Sequence, residues 1–257
     1  MNLSSFANYP SLKDKSVFIT GGGSGIGAAI TESFAHQGSK VTFVDIDEKA
    51  SNALVKQVAK EHGHRPRFRA CDIRKVPDLK RAIAETVAAQ GPIDVLVNNA
   101  ARDDRHAWDV VDEAYWDEFM AVTLRHMFFA TQAIAPEMAG RGGGAIINFG
   151  SVSWKMKTGG FPIYTAGKAA VHGLTTSAAR DYGKQNVRVN TVVPGWVMTE
   201  RQLKLWVTPE GEATIDRQQC LAGRLMPIDI ARMVLFLASD DARMCSGQEF
   251  IVDAGWV

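Results

Sequence analysis

Little in this chain is extreme, and each shortage removes a class of protein. There are three cysteines, Cys71, Cys220 and Cys245, far apart and odd in number. That argues against a disulfide scaffold, and no metal-ligand spacing occurs, so free thiols in a reducing compartment and no metal site are expected. Neither sign of charge is in excess: 29 basic against 28 acidic residues leave a net charge of +1. Nothing here suggests a nucleic-acid or anionic-membrane partner. No apolar run approaches a membrane span. Residues 1–10 lack the basic start and apolar core of a signal peptide. A cytoplasmic, soluble protein is the expectation. No repeat or low-complexity tract appears. What remains is 257 residues, 46% hydrophobic, enough for one large α/β domain with a substantial core.

The chain is organised around Thr20-Gly21-Gly22-Gly23-Ser24-Gly25-Ile26-Gly27. This stretch follows an apolar run, Val17-Phe18-Ile19, and opens a segment, 28–36, with apolar residues at helical spacing. Strand, glycine turn and helix together present free backbone N–H groups to an anion. Gly21, Gly25 and Gly27 leave room for a pyrophosphate to approach the backbone, flanked by Ser24 and Ile26. The spacing is T-G-x-x-x-G-x-G rather than G-x-G-x-x-G. Asp45 ends the second strand, 41–44, about 20 residues past the turn, where a carboxylate accepts both ribose hydroxyls of an adenosine. It would repel a 2′-phosphate, and Ile46-Asp47-Glu48 supplies no arginine, so NAD is favoured over NADP. The alternative for Asp45 is a cap on the next helix.

Further segments alternate in the same way. Helices are expected at 50–61, 77–90 and, as one long element, 114–138, with a last helix core at 234–238. Strands are expected at 67–70, 93–97, 145–149, 187–193 and 249–252. Residues 1–14 read as a polar lead-in. The alternation implies a doubly wound parallel sheet with ligands at its C-terminal strand ends. Residues 198–225 are longer than a simple connection and suggest a lid over the site.

Ser151 ends the fifth strand, and Tyr164 and Lys168 follow at i and i+4, on one helix face. A phenol ionises at about 10 and is a poor base at neutral pH. An ammonium about 4 Å away, at an effective dielectric of about 20, contributes roughly 4 kcal/mol, enough to bring it to about 7. Tyr164 is then a base for a hydroxyl proton, and Ser151 a partner for the substrate oxygen.

The glycine turn, Ser151, Tyr164 and Lys168 together resemble the short-chain dehydrogenase/reductase family over essentially the whole chain. The resemblance implies an α/β fold, a single Rossmann-like domain over 1–257 with a doubly wound parallel sheet of about seven strands flanked by helices. It implies NAD held by Gly21, Ser24, Gly25, Ile26, Gly27, Asp45, Ile46, Asp72, Ile73, Asn99, Ala100, Tyr164, Lys168, Pro194, Val197 and Thr199. It also implies a homotetramer built through two long helices and the C-terminal strand. Two positions depart from the family pattern. Ala101 stands for Gly in Asn98-Asn99-Ala100-Ala101, and Thr123 stands for an Asn thought to hold a proton-relay water.

Five stretches, 103–106, 124–127, 147–154, 208–213 and 253–256, resemble the bacterial sugar 1-dehydrogenases of that family. Oxidation of the C1 hydroxyl of an aldose to an aldonolactone is what this implies, with Asp104, Arg105, His106, Ser153, Trp154 and Lys155 as candidate substrate contacts. Another alcohol, polyol or hydroxyacid is the alternative substrate. A cofactor-binding protein without activity is the alternative class.

Overall fold

The computed structural model describes residues 6–257. Part of the expected lead-in therefore lies outside the described residues. The rest is anchored: Pro10–Leu12 forms a single 3-10 turn that buries Leu12, and the Tyr9 N–H bonds the Gln37 side chain at 2.7 Å.

Seven strands follow: β1 Ser16–Thr20, β2 Lys40–Asp45, β3 Arg67–Ala70, β4 Val95–Asn98, β5 Gly144–Phe149, β6 Val187–Pro194 and β7 Glu249–Val252. They form one sheet in the order β3-β2-β1-β4-β5-β6-β7, and every pairing is parallel. The strand order reverses between β1 and β4, which is where an open α/β sheet leaves a crevice.

Among the described residues nine α-helices cover the faces: α1 Gly25–His36, α2 Glu48–His62, α3 Val76–Gln90, α4 Glu113–Met120, α5 His126–Gly140, α6 Pro162–Tyr182, α7 Glu200–Leu205, α8 Pro209–Gln218 and α9 Pro227–Ala238. Alternate residues of a strand face opposite layers. Val17 and Ile19 pack with Phe34 of α1 and Ile230 of α9, whereas Phe18 packs with Leu79 of α3 and Ile134 of α5. The local signals are ordinary ones. Asp47 caps α2 by accepting the Ala50 N–H at 2.9 Å, and Gly63, at φ 72°, ends it.

The helix expected over 114–138 is present as α4 and α5, which run on without leaving helical dihedrals but are joined by one widened turn. Ala121–Arg125 is a π turn between α4 and α5. Apolar periodicity does not register one widened turn. The turn brings Thr123 against α6, so close that its methyl carbon lies 3.0 Å from where a Cβ on Gly167 would stand.

Candidate active site

After β1 the chain turns at Gly21, whose φ is 66°. The Gly21 and Gly22 N–H groups bond the Val44 carbonyl at 2.8 and 3.2 Å, tying the turn to β2. A Cβ on Gly27 would stand 1.8 Å from the Gly21 carbonyl oxygen, so α1 rests directly on the turn. Ser24 caps α1 with backbone only, which leaves first-turn N–H groups for an anion. Asp45 is not the cap of α2. Its carboxylate accepts the Gly23 N–H at 2.9 Å and the Asp47 N–H at 3.0 Å, and keeps lone pairs facing the crevice. On the other side of the turn, the Asn99 amide donates to the Thr20 and Gly21 carbonyls at 3.1 and 2.8 Å.

The crevice is a cavity of about 1180 Å³. At one end it is lined by Gly21, Ser24, Ile26, Gly27, Asp45, Ile46, Asp72, Ile73, Asn99 and Ala100. Ser151, Ser153, Tyr164, Lys168, Pro194, Val197 and Thr199 line its middle. Gly25 lies behind that lining, where a Cβ would stand 3.3 Å from Thr199. The residues expected to hold a dinucleotide are thus brought together, and the glycine cradle fits one. Asp72 is gripped by Arg74 at 2.8 Å, which holds its carboxyl below the usual range, and Arg74 also pairs with Glu118. Cys71 lies beside it, and burial first, then the neighbouring carboxylates, push its thiol up to about 11. In the native protein Cys71 is expected to resist alkylation at about pH 8, while exposed Cys220 reacts. Mass spectrometry of alkylated sites checks this.

Ser151, Tyr164 and Lys168 meet as their spacing foretold, but their electrostatics differ from the expectation. The Lys168 ammonium lies 5.8 Å from the Tyr164 ring centre and donates to the Phe149 carbonyl at 2.7 Å. Burial pushes Tyr164 up to about 12, a Ser151 hydrogen bond opposes that, and the Asp103 charge adds to it. Burial also pulls Lys168 down to about 7. Desolvation is the largest cause for both groups, and it disfavours the charged form of each. The charge of Lys168 alone would bring a phenol towards neutrality, and the cost of burying both groups sets the opposite direction.

The substrate candidates divide. Arg105, Ser153 and Lys155 line the cavity. His106, Asp104 and Trp154 do not, because each is already engaged. His106 accepts the Ile163 N–H at Nε2, 3.3 Å, so Nδ1 carries the proton and donates to the Asp104 carbonyl at 2.8 Å. It pins the 102–106 loop to the start of α6. The Asp104 carboxylate binds Arg102 and Arg201 at 2.7 and 2.6 Å. The Trp154 indole donates to His172 at 3.1 Å, and His172 and Lys155 both pair with Glu249.

Among the cavity residues not named as site candidates from the sequence are Asp103, Trp196, Arg201, Gln202 and Trp256. Adjacent aspartates at 103 and 104 carry no signal of which one faces the site. Thr123 is fully buried and its hydroxyl has no protein partner, so it bonds neither its own helix nor Lys168.

Known proteins agree with this geometry. The profile of the family described as "Enoyl-(Acyl carrier protein) reductase" matches residues 21–257. D-xylose 1-dehydrogenase of Caulobacter vibrioides is 52% identical over 252 residues, 98% of this chain and 99% of that one. A probable galactose dehydrogenase of Rhizobium meliloti is 46% identical over 249 residues, 97% of each chain. The solved structure of a 7α-hydroxysteroid dehydrogenase with NADH and 7-oxo glycochenodeoxycholic acid superimposes with a TM-score of 0.90 at 32% identity, covering 98% of both chains. With a dinucleotide cradle, a strand-end serine and a Tyr-Lys helix on one seven-stranded sheet, the chain belongs to the short-chain dehydrogenase/reductase family and is an oxidoreductase.

Proposed function

We propose that this protein oxidises the C1 hydroxyl of an aldose to an aldonolactone, with NAD as the cofactor and Tyr164 as the base. The observation that carries the reading is the convergence of Ser151, Tyr164 and Lys168 beside the dinucleotide cradle in one cavity. The sugar follows from the two relatives, one named for xylose and one for galactose, at 52% and 46% identity. NAD, held by the glycine turn and Asp45, would supply the acceptor for the C1 hydride. Ser151 holds the C1 oxygen by a hydrogen bond, and Tyr164 removes its proton as the carbonyl forms. Lys168, anchored on the Phe149 carbonyl, has donors left to bind a ribose and to pass the proton onward. Tyr164, pushed up to about 12 by burial, needs a positive charge beside it to act as a base, which an oxidised nicotinamide would supply. Formation of the aldonic acid from the lactone, followed by chromatography of product, tests the reaction assigned.

NAD rather than NADP rests on Asp45, a carboxylate in the crevice with no arginine in the three residues after it. Asp45→Asn is expected to narrow the ratio of kcat/KM for NAD over NADP by about tenfold or more, since it removes repulsion of a 2′-phosphate and weakens the ribose contact. Initial rates with both dinucleotides check this.

We further propose a homotetramer, as the family resemblance implies, and apolar residues exposed on α5 and at the C-terminal strand support contacts between subunits there. Phe128 on α5, Ile251 on β7 and Val257 are 49%, 39% and 49% exposed. Among the described residues no helix is long and apolar enough to cross a membrane. The three free thiols support a reducing compartment such as the cytoplasm.

A further inference from the structure

Beyond the serine and the tyrosine, one part of the cavity is built with more polar order than a hydrophobic alcohol needs. Asp103 comes from the loop after β4, and Gln202 and Arg201 from α7. The Trp196 indole N–H donates to the Gln202 carbonyl oxygen at 2.9 Å. That contact settles which way the Gln202 amide faces, and its NH₂ donates to Asp103 Oδ2. Arg201 donates to Asp103 Oδ1 at 3.2 Å. Each carboxylate oxygen thus has one protein donor and room for a second. The indoles of Trp196 and Trp256 lie 6.4 Å apart at the same wall. The charge of Asp103 acts on both Tyr164 and Lys168, so this carboxylate lies within electrostatic reach of the reacting groups.

We propose that Asp103, oriented by Gln202 and Arg201, recognises the hydroxyl groups next to the reacting carbon of a polyhydroxylated substrate, with the indoles of Trp196 and Trp256 forming the wall for its C–H face. The inference rests on the aldose reading above and names how that site selects its substrate. Two open acceptor positions on one carboxylate match the two O–H donors of a vicinal diol. An apolar alcohol leaves that charge unpaired as water is expelled, which selects against it. The tie between α7 and the loop after β4 does not depend on Asp103 alone, because Asp104 also binds Arg201 at 2.6 Å.

The test compares the unmodified protein with Asp103→Asn and Gln202→Met, using the best aldose and its monodeoxy analogues. In the unmodified protein, loss of a recognised hydroxyl is expected to lower kcat/KM by about ten- to a hundredfold, the range of a hydrogen bond to a charged group. In Asp103→Asn the KM for the parent sugar rises by about tenfold or more, and the penalty on the deoxy analogue largely disappears. The KM for NAD stays within about twofold, a readout that a general loosening would move. Gln202→Met gives the same pattern at smaller size and carries the test should Asp103→Asn fold poorly. An unchanged deoxy pattern in both variants overturns this inference alone. No aldose turnover by the unmodified protein overturns the aldose reading, and this inference with it.

Discussion

Tyr164→Phe is expected to lower turnover by about 10²–10⁴, the usual range for removal of a general base, with dinucleotide binding retained. The substitution removes one oxygen and keeps the ring, which packs edge-on against Phe161 at 5.8 Å. The structure adds a pH signature. Burial pushes Tyr164 up to about 12, and the base form is the reactive one. The oxidation rate must therefore rise with pH, and its acid limb ends at the value Tyr164 has with the cationic cofactor beside it, below 12. The phenolate is visible in the ultraviolet, so the difference spectrum between unmodified protein and Tyr164→Phe reports the ionisation directly. Adding NAD should move that ionisation to lower pH. A variant with undiminished turnover contradicts the assignment of the base.

Gly27→Ala is expected to cost at least about 3 kcal/mol of stability, at the upper end for overpacking. Most overpacked sites relax by moving a side chain. Here the added carbon meets backbone, 1.8 Å from the Gly21 carbonyl oxygen and 2.8 Å from its carbon. Relief requires α1 to lift off the glycine turn, which also opens the cradle, so affinity for the dinucleotide should fall with stability. For a chain of this size the melting temperature should drop by about 6–12 °C. Gly173→Ala is the matched control. That glycine is inside α6, and a Cβ there meets nothing within 4 Å. Removing its backbone freedom should stabilise the protein by about 0.5–1 kcal/mol. Thermal denaturation of both variants checks the pair, and equal shifts would contradict the geometry.

Where local chemistry dictates structure, the residues alone were informative. The strands at 67–70 and 249–252 fall where expected, as does the glycine turn, where Gly21 and Gly25 hold positive φ. The helix over 114–138 is legible from its apolar spacing, but the π turn within it is not. A π turn changes the hydrogen-bond count of one turn while leaving the apolar residues in place. The Tyr164–Lys168 pair was found by spacing, but the direction of its pKa shifts depends on burial, which spacing does not report. The substrate end was least legible. His106 and Trp154 have the chemistry of a sugar site, yet their ring nitrogens are engaged by Ile163, Asp104 and His172. Asp103 and Gln202, separated by 99 residues, meet only through the fold.

The most direct measurement of the central claim is reduced-nicotinamide formation by the purified protein with NAD and a panel of aldoses: D-xylose, L-arabinose, D-galactose, L-fucose, D-glucose and L-rhamnose. Turnover of at least one sugar, with NAD preferred over NADP, is the predicted result. Dinucleotide binding without turnover of any aldose would contradict the account and direct the search to other alcohols.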